Sequence, residues 1–237
     1  MPPPPCCADP RTDQPYPPHD PVPVVTQYAS PELIGDIAYG GHDAADDPRW
    51  RESAAPTHNA YRRWCRHICG MACLRMILLH RDAGTAPNLF QLLSGARAFG
   101  AYTRDTDGIH GMFYDPFAAY AYETHDLDAT VHREMRMDEL LGLLAAGHMV
   151  MASVSKEIRR PHLTPPRRGG HLILATGLDD GHILFRNPSG HTPDTTAAAL
   201  PTERFATFFA GRGISIDVSP TGRQRPAPHA RTRQVTS

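Results

Sequence analysis

The pattern of apolar and polar positions predicts helices in the first half of the chain body and strands in the second. After position 68, apolar residues recur at the spacing of one helix face, and Gly84 and Pro87 then end the helix. The positions on this face are Cys69, Ala72, Cys73, Met76, Ile77 and His80. Further helices are predicted over 88–98, 115–124 and 138–146, with a short strand over 129–134.

The second half of the body has continuous apolar runs. They predict strands over 148–154, 171–177 and 181–187, followed by a last helix over 201–210 and a strand over 214–218. Asp179, Asp180 and Gly181 lie between two of these runs, and this sequence is typical of the tight turn of a β-hairpin. Because helices precede antiparallel strands, the order of elements indicates an α+β fold.

Proline separates the chain body from its ends. Twelve of the 24 prolines lie in residues 1–48, and such a segment buries too little apolar surface to offset the entropy of ordering it. We therefore expect residues 1–48 to be extended or disordered, apart from two short apolar stretches that can dock locally. Residues 219–237 are rich in proline and arginine and are expected to form a disordered tail. One domain over 49–218 remains.

Composition and charge exclude several classes of protein. Hydrophobic residues make up 41% of the 237 positions and charged residues 21%, as in a globular domain with a core. No apolar run approaches the ~18 residues of a membrane span, and the N-terminus lacks a secretory signal, so we expect a cytoplasmic protein without a membrane partner. The net charge of −1 disfavours a nucleic-acid partner. Five cysteines, an odd number, disfavour a disulfide framework.

Three residues have the chemistry and the placement of a thiol-dependent catalytic site. Cys69 begins the first predicted helix, where unpaired backbone N–H groups favour the thiolate, and Gly70 beside it leaves room for a substrate. His171 opens a buried strand after two glycines, and the hairpin brings Asn187 back beside it. The amide oxygen of Asn187 can then accept from one ring nitrogen and leave the other to act as a base. A buried core cysteine and a strand-end histidine are the structural alternatives.

The same residues carry a family resemblance. The block Cys69-Gly-Met-Ala-Cys-Leu-Arg-Met-Ile-Leu78 resembles the CGxxCLxMxL block around the nucleophile of C39-type papain-like cysteine peptidases, and Gly170-His171 with Asn187-Pro188 resembles their histidine strand and the Asp/Asn-Pro that follows it. The resemblance implies a papain-like catalytic domain, with a helical subdomain packed on an antiparallel sheet. It makes Cys69 the nucleophile, His171 the base and Asn187 its orienter. It also implies a stand-alone peptidase without a transporter segment or a cofactor.

One position departs from the family pattern. The family has a glutamine about six residues before the cysteine that donates to the oxyanion, and Arg63 occupies that place here. Arg63 is a candidate for the second donor, beside the backbone N–H of Cys69, but a guanidinium is longer than an amide and charged, so the sequence leaves the second donor open. Trp64 either lines the leaving-group side of the cleft or packs in the core. The loop 156–170 is expected to overhang the cleft, where its arginines bind a substrate carboxylate or phosphate or else lie in solvent; they are Arg159, Arg160, Arg167 and Arg168.

These residues leave four functions open. The first is a cysteine-dependent hydrolase that cleaves a peptide or amide bond through an acyl-enzyme, and the second is an acyltransferase of a biosynthetic pathway, in which an amine replaces water. The third is a non-catalytic binding module that keeps the fold, because the family's glutamine is missing. The fourth is a soft-metal site formed by Cys65, His67, Cys69 and Cys73.

Overall fold

The computed structural model of the protein describes residues 22–218 and has helices on both faces of one six-stranded sheet. The helices are α1 (His58–Trp64), α2 (Cys69–Arg81), α3 (Leu89–Ala98), α4 (Tyr114–His125), α5 (Met137–Ala145), α6 (Pro193–Thr196) and α7 (Thr202–Phe208). The strands are β1 (Arg104–Asp105), β2 (Gly108–Ile109), β3 (Asp128–His132), β4 (Met149–Ser155), β5 (Gly170–Asp179), β6 (His182–Arg186), β7 (Ala197–Pro201) and β8 (Phe209–Asp217). Short 3₁₀ or π turns lie at Pro31–Leu33, Asp36–Gly40, Ala44–Asp46, Trp50–Ser53 and Lys156–Arg159.

The six-stranded sheet has the order β3–β8–β4–β5–β6–β7, and every neighbouring pair is antiparallel. The predicted α+β class is therefore confirmed. All seven residues of the central strand β4 are buried, because helices cover both faces of the sheet. This burial explains why the strand begins with four consecutive apolar residues, 149–152, rather than alternating apolar and polar ones. Among residues 22–218, no helix is both long and apolar enough to span a membrane.

Each face of the sheet carries its own hydrophobic core. Met151 and Leu174 pack with α1 to α4 on one face, whereas Val150 and Ile173 pack with α5 and α7 on the other. The helix α2 is buried on nearly every side, since it lies between the sheet and α3. The single apolar face predicted for it is thus only part of its buried surface, and the helix is held rigidly against β5.

The β5–β6 hairpin forms at the predicted turn. Asp179 pairs with His182, and Asp180 and Gly181 have φ values of 41° and 75°. Positive φ at both central residues is the geometry that matches the twist of the flanking strands, and Asp and Gly tolerate it. A register shift between Ala175 and Gly177 then pairs Leu174 of β5 with Arg186 of β6. The turn and this shift together set which residues meet at the far end of the hairpin, where the chain leaves the sheet.

The N-terminal segment docks on the core at the two apolar stretches expected to do so, 24–28 and 33–37, and residues 22–48 are more ordered than the extended or disordered chain predicted over 1–48. Residues 22–48 form short helical turns, and Val22, Tyr28 and Ile34 are buried in the core beside α1 and α2. The backbone N–H of Gln27 also donates to the Pro188 carbonyl over 2.8 Å. Spaced apolar side chains thus bury enough surface to order a proline-rich chain. Residues 1–21 and 219–237, with Cys6 and Cys7, lie outside the described residues.

A buried carboxylate fixes this segment to α1. Asp47, only 1% exposed, accepts hydrogen bonds from the backbone N–H of Ser30 (3.1 Å), the Ser30 hydroxyl (2.6 Å), the backbone N–H of Arg49 (3.0 Å) and the Tyr61 hydroxyl. Burial acts to raise the pKa of Asp47, but the hydrogen bonds from Ser30 and Tyr61 outweigh it and the pKa is lowered. The segment is therefore held in place by an ionised, fully hydrogen-bonded group.

Candidate active site

A cleft of about 420 Å³ opens between the N-terminus of α2 and the start of β5. Both Cys69 and His171 line it. The lining residues are Arg66, His67, Cys69, Tyr102, Gly111, Met112, Tyr114, Ser153, Lys156, Gly170, His171, Leu172 and Arg212. The α2 helix and the β5 strand, which are separated by a hundred residues in sequence, thus form two walls of one site.

Cys69 is the first residue of α2 and is half-buried, whereas Cys65 and Cys73 are fully buried. Of the three cysteines in the described part of the chain, Cys69 alone lines the cleft. Burial raises the pKa of the Cys69 thiol, against the lowering effect of the nearby Leu172 and Gly70 backbone amides. The helix N-terminus does favour the thiolate, as its position in the sequence predicts, but desolvation outweighs this effect.

The imidazole of His171 is held by Asn187. His171 Nε2 lies 2.8 Å from Asn187 Oδ1, and the same oxygen accepts the backbone N–H of Ser189 over 3.0 Å. The Ser189 N–H donates to this atom and so identifies it as the amide oxygen, which can only accept. The neutral ring therefore donates from Nε2, and Nδ1 is the unprotonated nitrogen. Burial and the charge of Arg159 lower the pKa of His171 to about 3. The ring is therefore a neutral, oriented base.

Ser189 is a site residue that the sequence analysis missed. It is fully buried, and its hydroxyl oxygen lies 3.0 Å from His171 Nε2 and 3.3 Å from Asn187 Oδ1. Arg159 donates to the same hydroxyl through Nε over 2.9 Å. The sequence did hold a signal, because an asparagine that starts a turn commonly accepts from the backbone N–H two residues further on. Ser189 and Arg159 thus form a second layer behind the His171–Asn187 pair.

Gly70 serves packing rather than substrate access. A Cβ at this position would lie 2.5 Å from Met112 Sδ, 2.9 Å from Tyr102 Oη and 3.3 Å from Leu172 Cδ1. Gly70 is buried and does not line the cleft. Its missing side chain instead allows the cleft wall to pack against the first turn of α2, directly after the cysteine.

The other four residues expected near the substrate lie outside the cleft. Arg63 is exposed, because the α1 helix turns Tyr61 and Trp64 inward and leaves Arg63 facing solvent. Trp64 is 5% exposed and packs edge-on against the Tyr102 ring, with centroids 6.2 Å apart. Arg167 and Arg168 are exposed and are absent from the cleft lining. The geometry therefore does not support the predicted roles of these residues in oxyanion or substrate binding.

Tyr102 reaches the site from a loop that carried no sequence signal. Its side chain is 2% exposed, and its hydroxyl has no hydrogen-bonding partner among the described residues. The oxygen lies near the start of α2, close to Gly70 and the Met71 backbone N–H, and the residue lines the cleft. A buried hydroxyl without an acceptor is costly in a folded protein. It is available to donate to a group that enters the cleft.

The alternative metal site is not formed. Cys65 and Cys73 are buried in the core, whereas His67 is exposed and Cys69 faces the cleft. Within residues 22–218, which include all four predicted ligands, no group of three or more histidine, cysteine or acidic residues is arranged to hold a metal ion. The four-residue spacing of the cysteines follows the helix and does not gather a ligand set.

Comparison with known proteins gives one family match. The model of the Peptidase_C39 like family matches residues 52–213, more than half of the chain. One similar solved structure is the peptidase domain of Streptococcus ComA, which is described as a bi-functional ABC transporter involved in a quorum sensing pathway. It is 12% identical in sequence, the match covers 63% of this chain and 90% of that chain, and the TM-score is 0.42. A C39-like peptidase from Bacillus anthracis is 16% identical, with 64% and 88% covered and a TM-score of 0.44. No curated protein matches this chain in sequence.

Proposed function

The chain belongs to the Peptidase_C39 like family, and from this premise we propose that it is a cysteine-dependent hydrolase that cleaves a peptide or amide bond through an acyl-enzyme on Cys69. One observation carries the proposal. A half-buried thiol at a helix N-terminus shares a cleft with a histidine whose Nε2 is held 2.8 Å from Asn187 Oδ1. This is the set of groups that nucleophilic catalysis by sulfur requires.

The reaction follows from the protonation of these groups. His171 Nδ1 takes the thiol proton of Cys69 as the sulfur attacks the substrate carbonyl, and Asn187 and Ser189 accept from Nε2–H while the ring is charged. The resulting imidazolium returns the proton to the leaving amine as the C–N bond breaks and the thioester remains. Water then attacks the thioester with His171 as base, which releases the acid and restores the thiol. Atoms and charges balance over the two half-reactions.

The negative oxygen of the tetrahedral intermediate needs donors. The backbone N–H of Cys69 is one, since the first-turn amides of a helix have no intrahelical partner. In place of Arg63, we assign the second donation to the Tyr102 hydroxyl, which is buried at the start of α2 and has no partner among the described residues. A neutral hydroxyl held by packing against Trp64 suits this role, because it need not reorganise when the charge develops.

The resting state of the pair is neutral. Burial raises the pKa of Cys69 and lowers the pKa of His171, so desolvation disfavours the ion pair from both sides. The thiolate is then produced during attack rather than stored. We therefore expect the rate of Cys69 alkylation by iodoacetamide to rise with pH between 6 and 9. A plateau already reached at pH 5 would contradict a neutral resting pair.

The experiment that tests the function uses p-nitrophenyl acetate, whose acetyl group transfers to a nucleophilic thiol with release of p-nitrophenolate. We expect mass spectrometry to locate the acetyl group on Cys69, and we expect His171→Ala to slow acylation by about 10²-fold, the usual contribution of a general base. His162→Ala, a substitution of an exposed histidine in the preceding loop, is the matched control. If the cysteines acylate indiscriminately, or if His171→Ala has no effect, the hydrolase proposal fails and a binding module is favoured.

The fate of the acetyl group separates hydrolysis from acyl transfer. With glycinamide added as an amine acceptor, we expect acetate to remain the main product. The loops beside the cleft are exposed or half-exposed and leave it open to solvent, so water can reach the thioester. If acetylglycinamide predominated over acetate, the acyltransferase would replace the hydrolase as the best description of the site.

A further inference from the structure

The cleft has a one-sided charge. Three of its lining residues carry a permanent positive charge, namely Arg66, Lys156 and Arg212, and none of its thirteen lining residues is an aspartate or a glutamate. The whole chain, in contrast, is nearly balanced, with 24 basic and 25 acidic side chains. The asymmetry therefore belongs to the cleft and not to the composition of the protein.

Arg212 lines the cleft and packs against Gly169. A Cβ at Gly169 would lie 2.8 Å from Arg212 Nη2 and 3.6 Å from Ser153 Oγ, and Gly169 itself has a φ of 82°. The guanidinium thus fills the space that a side chain at position 169 would occupy, two residues before His171. Ser153 and Arg212 both interact with the Tyr114 hydroxyl. In the part of the chain that the structure describes, no carboxylate lies within ion-pair distance of Arg212.

Lys156 faces the same space from the end of β4. It lines the cleft, is exposed, and forms no ion pair within residues 22–218. Its positive charge acts on both Cys69 and His171. Arg66 contributes less, because it is paired with Asp43 at 3.3 Å. Two cations without acidic partners within residues 22–218, Lys156 and Arg212, therefore line the cleft that holds Cys69 and His171. Ser153 and Tyr114 line the same cleft, and the Tyr114 hydroxyl interacts with both Ser153 and Arg212.

We propose that Lys156, Arg212, Ser153 and Tyr114 form an anion subsite, which binds a carboxylate or phosphate group of the substrate next to the scissile bond. The subsite deepens the proposed function and rests on it. Guanidinium and ammonium groups bind such anions through charge-assisted hydrogen bonds, and the two hydroxyls supply neutral donors beside them. The substrate class is then an acidic peptide or an amide of a carboxylate- or phosphate-bearing molecule, and the site that selects it differs from the exposed Arg167 and Arg168 of the loop.

The test compares two reagents of nearly the same shape, iodoacetate, which is an anion, and iodoacetamide, which is neutral. Each forms an S–C bond to Cys69 with loss of iodide, and the thiol proton passes to His171. We expect the iodoacetate-to-iodoacetamide rate ratio at Cys69 to exceed the ratio for free cysteine by about tenfold at low salt, since unpaired cations raise the local concentration of an anion. Arg212→Gln and Lys156→Gln should each lower the ratio about threefold, and added salt should lower it further.

A control variant and the reactivity of Cys69 itself distinguish failure of the anion subsite from failure of the proposed function. Arg62→Gln removes an exposed arginine of α1 outside the cleft and should leave the ratio unchanged. A reactive Cys69 with the ratio of free cysteine, or a ratio insensitive to Arg212→Gln, would overturn the anion subsite alone. A Cys69 inert to both reagents would overturn the proposed function and this inference with it. Inorganic phosphate is then added to the iodoacetate reaction. If phosphate slows alkylation of Cys69 more than a neutral salt of equal ionic strength does, the subsite binds phosphate as well as carboxylate; if it does not, the subsite is assigned to carboxylate.

Discussion

Replacement of Tyr102 by phenylalanine isolates the proposed oxyanion donor. The variant removes one oxygen from a buried ring and keeps the ring's contact with Trp64. Loss of one such donor costs about 10²–10³ in rate, which is roughly 3–4 kcal/mol of transition-state stabilisation. We expect the lower end, about 10²-fold, because the backbone N–H of Cys69 remains to hold the same charge.

The stability of the variant should hardly change. The Tyr102 hydroxyl has no acceptor within the described residues, and a buried donor left unpaired costs about 1–3 kcal/mol, which phenylalanine removes. The substitution also removes the oxygen that faces the Met71 backbone N–H, with a cost of the opposite sign. These effects offset each other, so we expect the free energy of unfolding to change by less than about 1 kcal/mol, or about 4 °C in Tm.

Two reagents separate the donor from the thiol. Acylation of Cys69 by p-nitrophenyl acetate passes through an oxyanion, whereas alkylation by iodoacetamide does not, so Tyr102→Phe should slow only the first. Tyr120→Phe is the matched control, because Tyr120 is equally buried but its hydroxyl bonds to His125, away from the cleft. Equal slowing of both reactions would mean that Tyr102 merely supports the packing of the site, and an unchanged acylation rate would refute the assignment.

Three further predictions concern the groups behind the site and the N-terminal segment. Ser189→Ala should lower the acylation rate about tenfold, because His171 loses one of the two oxygens that hold its ring. The same substitution should speed solvent exchange of the His171 Nε2–H proton in NMR spectra, and an unchanged exchange rate would exclude a positioning role. Asp47→Asn should lower the free energy of unfolding in urea by about 2–3 kcal/mol, because the Tyr61 hydroxyl loses a charged acceptor, and a change below 0.5 kcal/mol would count against the network. Because the pKa of Asp47 is lowered on folding, its contribution to the free energy of unfolding is complete above the unfolded-state pKa of about 3.9 and is lost as pH falls through the lower folded-state pKa. The difference in stability between wild type and Asp47→Asn should therefore shrink between pH 4 and pH 2. A difference that stays constant over this range would refute the charge assignment.

Local signals in the sequence were sufficient to locate the candidate residues Cys69, His171 and Asn187. The spacing of apolar residues located α2 and therefore placed Cys69 at a helix N-terminus. The Asp180-Gly181 turn starts the β5–β6 hairpin and brings Asn187 back to the end of the sheet where His171 lies, although a register shift between Ala175 and Gly177, which the turn does not encode, sets the final pairing. Both inferences need only neighbouring residues, since helix periodicity and hairpin turns are encoded over a few positions.

The surroundings of the site depend on contacts between residues far apart in sequence, which local patterns do not contain. Tyr102 and Arg212 reach the cleft from a loop and from β8, and neither position has a pattern that marks it. Arg63 was a candidate oxyanion donor from its position in the family pattern, but the structure places it on the solvent-exposed face of α1. The pattern gives a position in the sequence and not the face of the helix on which that residue lies. The ordering of residues 22–48 likewise depends on Asp47, a single buried acid that composition treats as an ordinary surface residue.

Effects of opposite sign act on the protonation of the proposed Cys69–His171 pair. A helix N-terminus stabilises a nearby charge by up to about 2 kcal/mol, whereas desolvation shifts the pKa of a fully buried group by up to about 3–5 units. At the half-buried Cys69, desolvation is the largest effect and raises the pKa of the thiol. At His171 the charges of Arg159 and Lys156 add to desolvation and weaken the base. An anion bound at Lys156 would neutralise part of that charge and raise the pKa of His171 towards its ordinary value. The base would then be strengthened when an acidic substrate is in place, so the cations that select the substrate would also couple its binding to proton transfer.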